Sequence, residues 1–91
     1  MIRSFADANT ERIWRTGKTG GSPPASVTRR KLAMLDVAER LDDLLVPPGN
    51  RLERLKGDRA RQCSIRINDQ YRICFTWRDG DAYNVEIVDY H

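Results

Sequence analysis

The chain has 91 residues, 40% of them hydrophobic and 32% charged, and a formal net charge of +3 at pH 7. That length supports one compact unit around a modest core, so a single domain over residues 1–91 is expected. No apolar run approaches the roughly 20 residues of a membrane span, and the opening MIRSFADANTERIW is too polar for a secretory leader, so no membrane partner is expected and the cytoplasm is the expected location.

MIRSF (1–5) alternates weakly and predicts a short opening strand. Asp7 offers an N-cap, Ile13 and Trp14 an apolar stripe and Gly17 a C-terminal stop, which together predict a helix over 8–16. GKTGGSPPA (17–25) joins glycines to adjacent prolines and reads as an irregular connection. Ser26 can cap a second, long helix in which Val27, Met34, Leu35, Ala38, Leu41 and Leu45 fall at helical spacing; Pro47, Pro48 and Gly49 end it. The period then changes to two. RLERL (51–55) fits a short strand or a helical turn, KGDRARQ (56–62) is a polar link, and CSIRI (63–67), YRICFTW (71–77) and YNVEIVDY (83–90) are strands joined by NDQ and RDGDA. The order predicts an α+β fold: an antiparallel β-meander with two N-terminal helices packed on one face.

Cys63 and Cys74 are the only cysteines and His91 the only histidine, which leaves no metal-ligand set, so neither metal nor other cofactor is expected. The small net charge hides an uneven distribution. Residues 51–78 hold Arg51, Arg54, Lys56, Arg59, Arg61, Arg66, Arg72 and Arg78 against Glu53, Asp58 and Asp69, whereas 36–43 and 79–91 are acidic. Arginine dominates that segment, and its planar fork suits phosphate, so a nucleic-acid surface competes with a plain solvated face.

Strand alternation assigns the faces. Cys63, Ile65 and Ile67 share one side of their strand, and Tyr71, Ile73, Phe75 and Trp77 one side of the next; both sides must meet the helices. A slip of one residue would turn an apolar set outward, so a three-residue turn at 68–70 sets 65 against 73 and Arg66 against Arg72. Like charges so opposed cost roughly 0.2–1 kcal/mol, and nothing within the two strands offsets this. Pairing 77 with 83 sends Tyr83, Val85 and Ile87 to the core, sets Val88 opposite Arg72, and brings Tyr90 and Glu86 near Arg72 on the outer face. Either that face is salt-bridged, with Glu86 as a partial counter-charge, or it is a phosphate site. The same register separates Cys63 from Cys74 onto opposite faces, which argues against a disulfide. Trp14 and Trp77 read as core.

PPGNRLERLKGDR (47–59), SIRINDQYRICF (64–75) and GDAYNVEIVDYH (80–91), with the opening MIRSF, resemble the HigB-like plasmid-maintenance toxins of the RelE superfamily over nearly the whole chain apart from the loop around 17–25. The resemblance implies a small RelE-like β/α toxin of a type II toxin-antitoxin pair that enters the ribosomal A site, meets rRNA and mRNA there, and cuts the mRNA without metal. It also implies a cognate helix-turn-helix, HigA-like antitoxin, through which operator DNA would be met only indirectly. On the matching positions it implies cationic roles for Lys56 of LKGD and Arg72 of YRI, and a functional C-terminal cluster of Asp89, Tyr90 and His91. Members often carry a histidine just before the LKGD lysine, where this chain reads Glu53, Arg54, Leu55.

Cleaving RNA without metal requires that the 2′-hydroxyl lose a proton, that the charge building on the phosphate be stabilised, and that the departing 5′-oxygen gain a proton. Arg72 and Lys56 are assigned to the phosphate, with Arg66 and Arg54 in support. His91, Tyr90 and Glu53 are the alternatives for proton transfer, and Asp89 orients a partner. Arg59, Arg61 and Arg78 are expected to hold ribosomal RNA away from the chemistry. The competing functions are a catalytically weak or inactive ribosome- and RNA-binding homologue acting mainly as the antitoxin's partner in operon autoregulation, and a structural partner of a DNA-binding regulator.

Overall fold

The computed structural model describes residues 1–57 and 61–90. Helix α1, Ala8–Thr16, begins where the Asp7 carboxylate accepts the Thr10 N–H at 2.6 Å and ends where Gly17, at φ 72, donates its N–H to the Ile13 carbonyl. That left-handed cap favours glycine, and an added Cβ would lie 2.9 Å from Arg29 Nε.

Helix α2 is shorter than its periodicity predicts. It spans Ala25–Val37, and Pro24 rather than Ser26 occupies the cap position. Ala38 leaves the helix at ψ 131, and residues Leu41–Leu45 form a separate 3₁₀ turn. The reason is local: Asp43 Oδ2 accepts the N–H groups of Glu39 and Arg40 at 3.0 and 3.1 Å, capping a new turn instead of extending the old one. Those two donors hold the Asp43 carboxyl below its ordinary value. The break moves the inward position from Leu45, now 54% exposed, to the buried Leu44.

A second 3₁₀ turn, Pro48–Asn50, leads into strand β1, Glu53–Arg54, which settles RLERL as a strand. Strands β2 (Gln62–Arg66), β3 (Tyr71–Arg78) and β4 (Asp81–Asp89) complete an antiparallel sheet in the order β1-β2-β3-β4. The opening segment is no regular strand but lies parallel to β4, with bridges from Ile2 to Ala82 and from Phe5 to Val85. One core joins Ile13, Leu32 and Leu35 of the helices to Cys63, Ile65, Ile67, Ile73 and Phe75 of the sheet. Both helices thus cover one face, the α+β arrangement expected from the chain order.

The β2–β3 register is the expected one: Ile65 faces Ile73 and Arg66 faces Arg72. The Asn68 side chain holds the connecting turn by accepting from the Gln70 and Tyr71 N–H groups at 2.9 and 2.8 Å. In the β3–β4 hairpin Arg72 faces Val88 as predicted, but the pairing of 77 with 83 does not occur. A bulge between Cys74 and Thr76 shifts the register, so that Trp77 faces Ala82 and Thr76 faces Tyr83. Asn84, at φ 53, supplies the extra residue, and its N–H is taken by Ser4 Oγ at 2.9 Å. Ala82 and Val85 are therefore buried, whereas Tyr83 leaves the core for a place under the Arg78 guanidinium. Asp79 and Gly80, both at positive φ, make the tight Asp-Gly turn that starts β4.

Candidate active site

The outer, helix-free face of the sheet carries an open cleft of about 480 Å³ lined by Arg51, Glu53, Arg66, Asn68, Asp69, Arg72 and Tyr90. Arg72 is its fixed point. It is only 8% exposed, and its guanidinium is held from three directions: Nε donates to Ser64 Oγ at 2.8 Å, and Nη2 donates to the Arg51 carbonyl at 2.5 Å and to the Ser64 carbonyl at 3.3 Å. Among the described residues Nη1 has only the Glu53 carboxylate as an ion-pair partner, at 3.9 Å, beyond hydrogen-bond length.

Each of these partners is placed by local structure. Glu53 faces Ser64 across β1 and β2, so both lie on the outer side with Arg66 and Arg72. The Arg51 carbonyl is aimed by a left-handed backbone, φ 45 and ψ 56, at the close of the second 3₁₀ turn. That turn is fastened from beneath by the buried Asn50, whose amide donates to the Leu44 carbonyl at 3.2 Å and whose Oδ1 accepts the Lys31 ammonium. Burial lowers the Lys31 pKa first, with Arg30 and Arg66 adding repulsion.

The opposed arginines do not share one partner. Arg66 binds the Asp69 carboxylate in the adjacent turn while Arg72 takes Ser64, Arg51 and the approach of Glu53. Compensation for the like-charge pair thus comes from a turn and from β1, which the two strands alone do not contain. Tyr90, 46% exposed, stands at the other side of the cleft with its hydroxyl 3.8 Å from Sγ of the buried Cys74. Its N–H is tied to the Gln70 carbonyl at 2.7 Å.

Of the residues singled out by sequence, the cleft gathers Arg72, Arg66, Glu53 and Tyr90. Asp89 is outside the lining and accepts from Gln70 Nε2 at 3.1 Å. Lys56 is exposed and does not line the cleft, because antiparallel pairing carries residues 55 and 56 toward the start of β2: the Leu55 N–H meets the Gln62 carbonyl at 2.9 Å. Alternation likewise sends Arg54 to the face opposite Glu53, so Arg54 does not support Arg72; it lines a different cavity with Arg61 and Arg78. Arg59 and His91 lie outside the described residues.

Three contributors were missed. Ser64 shares the parity of Arg66 and Arg72 and could have been read from it; Lys31 falls on the apolar stripe between Val27 and Met34, which marks it as buried. The Arg51 carbonyl had no such signal.

The profile for the RelE-like toxin of the type II toxin-antitoxin system HigB matches residues 3–91. Toxin HigB-1 of Vibrio cholerae serotype O1 is 42% identical over 87 residues, 92% of either chain, and Endoribonuclease HigB of Proteus vulgaris is 35% identical over 97 aligned positions covering both chains completely. An uncharacterized protein of Haemophilus influenzae is 33% identical over 89% of this chain and 83% of its own. A cationic cleft on the bare face of a four-stranded antiparallel sheet and a family match that includes every residue of that cleft lead to one conclusion: the chain belongs to the HigB-like, RelE-like toxins of type II toxin-antitoxin systems, and so has an antitoxin as its partner.

Proposed function

We propose that this toxin is a ribosome-dependent, metal-independent mRNA endonuclease that stops translation from the ribosomal A site, and that its partner is a HigA-like helix-turn-helix antitoxin through which it meets operator DNA. The relative named as an endoribonuclease supports the reaction class. The observation that carries the mechanism is the Arg72 guanidinium, buried and immobilised by Ser64 and Arg51 with one nitrogen still facing the cleft. A cation so held pays no reorganisation cost when charge develops on a phosphate.

The scissile phosphate docks on Arg72 Nη1, with Arg66 as a second, more mobile cation. Docking displaces Glu53 from its 3.9 Å approach to Arg72, and the carboxylate then accepts the proton of the 2′-hydroxyl. The 2′-oxygen attacks phosphorus, the bond from phosphorus to the 5′-oxygen breaks, and a 2′,3′-cyclic phosphate forms. A proton returns to the 5′-oxygen from the Tyr90 hydroxyl. Glu53 on β1 and Tyr90 after β4 approach Arg72 from opposite edges of the sheet on the same face, which supports their division of the two proton transfers.

The test is expression of the intact chain beside Arg72→Ala, with primer extension on translated mRNA. Growth arrest and new 5′ ends from the intact chain, both absent from the variant, are expected. Ribosome binding without new 5′ ends would instead favour an inactive, RNA-binding homologue that serves the antitoxin in autoregulation.

A further inference from the structure

The far end of β3 carries a second cavity, of about 360 Å³, where β2 begins and β3 ends. Its floor is apolar, formed by Leu41, Trp77 and Cys63. Burial pushes the Cys63 thiol up despite the nearby Arg54, so the floor is uncharged at neutral pH. Its rim holds the exposed Arg54, Arg61 and Arg78. Among the described residues none of the three is ion-paired with a carboxylate. Asp81, which faces Arg78 across the hairpin, is engaged by Arg3 and the N-terminal ammonium. Arg78 lies 4.4 Å over the Tyr83 ring, a contact that steadies the guanidinium without consuming its N–H donors. Trp77 is braced edge-on against Phe75 with ring centroids 6.3 Å apart.

A braced indole and three guanidinium groups without a carboxylate partner among the described residues line one cavity, and so combine the two features of single-strand recognition, an aromatic platform and a cationic track. The volume is near the lower bound of small-ligand pockets, enough for one base and too small for a duplex. We propose that this cavity is a subsite for single-stranded RNA, taking one base against Trp77 and its flanking phosphates on Arg54, Arg61 and Arg78. Trp77 lies about 17 Å along β3 from Arg72, at roughly 3.3 Å per residue over five steps, and on the helix side of the strand, so an RNA reaching both passes round the end of the sheet. The inference rests on the reading of the chain as an RNA-directed toxin and adds a second anchor to it.

The test uses the full chain without ribosomes. In a Trp14→Phe background Trp77 is the only tryptophan, and its emission reports on titration with hexauridylate and with an abasic oligomer of equal charge. Quenching by hexauridylate, affinity at least tenfold weaker for the abasic oligomer, and a comparable loss in Arg61→Glu and Arg78→Glu are expected. Both arginines are exposed, so these variants keep the fold and the Trp77 reporter. Equal affinity for both oligomers, or affinity indifferent to Arg61→Glu, would overturn the proposal. On ribosomes, a benzophenone side chain at Thr76 identifies the source: crosslinks to mRNA or to rRNA both support it, and crosslinks to protein alone sink it. Because binding is read without cleavage, a failed subsite leaves the Arg72 mechanism standing, and an Arg72→Ala form that still cleaves damages that mechanism and not the subsite.

Discussion

Arg72 and Arg78 lie on one strand, six residues apart, and are held in different ways. Arg72 is buried, with Nε and Nη2 bonded and Nη1 turned to the cleft. Arg78 is exposed and rests on a tyrosine ring. A cation that stabilises a transition state gains from being immobile, since its orientation is settled before the reaction begins. One that follows a flexible backbone gains from being long and adjustable. The contrast teaches that position in the hydrogen-bond network, more than charge, distinguishes the two arginines and the roles proposed for them.

The largest break in that contrast comes at Arg72. Arg72→Ala should lower single-turnover mRNA cleavage on ribosomes by about 10²- to 10³-fold, the range for loss of one fixed donor to a developing oxyanion. Arg72→Lys should restore little, because a lysine cannot reach Ser64, Arg51 and the phosphate together. Full activity in the lysine form would show that charge alone suffices.

Thermal unfolding sharpens the difference next. Ser64→Ala strips the buried Arg72 Nε of its acceptor and should cost about 1–3 kcal/mol, with Tm falling by about 4–8 °C for each kcal/mol in a domain of this size. Arg61→Ala, at an exposed site, should stay within about 0.5 kcal/mol. Equal Tm shifts would erase the distinction between a wired cation and an adjustable one.

Salt provides a smaller signal. Loss of one phosphate contact should reduce the slope of log affinity against log salt by about 0.7 for single-stranded RNA, so Arg61→Ala and Arg78→Ala should each flatten the titration by that amount. Asp81→Asn should leave the slope unchanged, since Asp81 is occupied by Arg3 and the N-terminal ammonium and does not neutralise Arg78.

The smallest effect lies in the acid limb of stability. Partial burial pushes the Asp81 carboxyl up, but hydrogen bonds from the N-terminal ammonium and Arg3 outweigh it and hold the pKa below its ordinary value. A depressed folded pKa contributes stability above the unfolded value, about 3.9, and loses it as pH falls through the folded one. Urea midpoints at pH 7 and pH 3 should therefore differ less in Asp81→Asn than in the unaltered chain.

Much of the cleft was legible because alternation is strict where one face of a strand is buried. Ile65, Ile67, Ile73 and Phe75 allow one register, and Arg66, Arg72 and Ser64 then share the other face. Legibility stopped where a local bond interrupts the period. Asp43 ends the helical repeat before Leu45, and Asn84 inserts a residue that moves Tyr83 out of the core. Lys56 was joined to Arg72 through the family resemblance and Arg54 as its support, and neither assignment carried a distance; pairing of β1 with β2 sends Lys56 along the sheet and Arg54 through to its opposite face.

By itself, the amino-acid order determined the meander, its central register, the placing of both helices on one side, and the family, since all depend on apolar periodicity and short motifs that survive without knowledge of distant contacts. Only the tertiary structure decided which cations are held and which are left to find an anion. That choice depends on a carbonyl at Arg51, a carboxylate from β1 and a hydroxyl from β2 converging on Arg72, and such convergence is a property of three-dimensional distance that no one-dimensional pattern encodes.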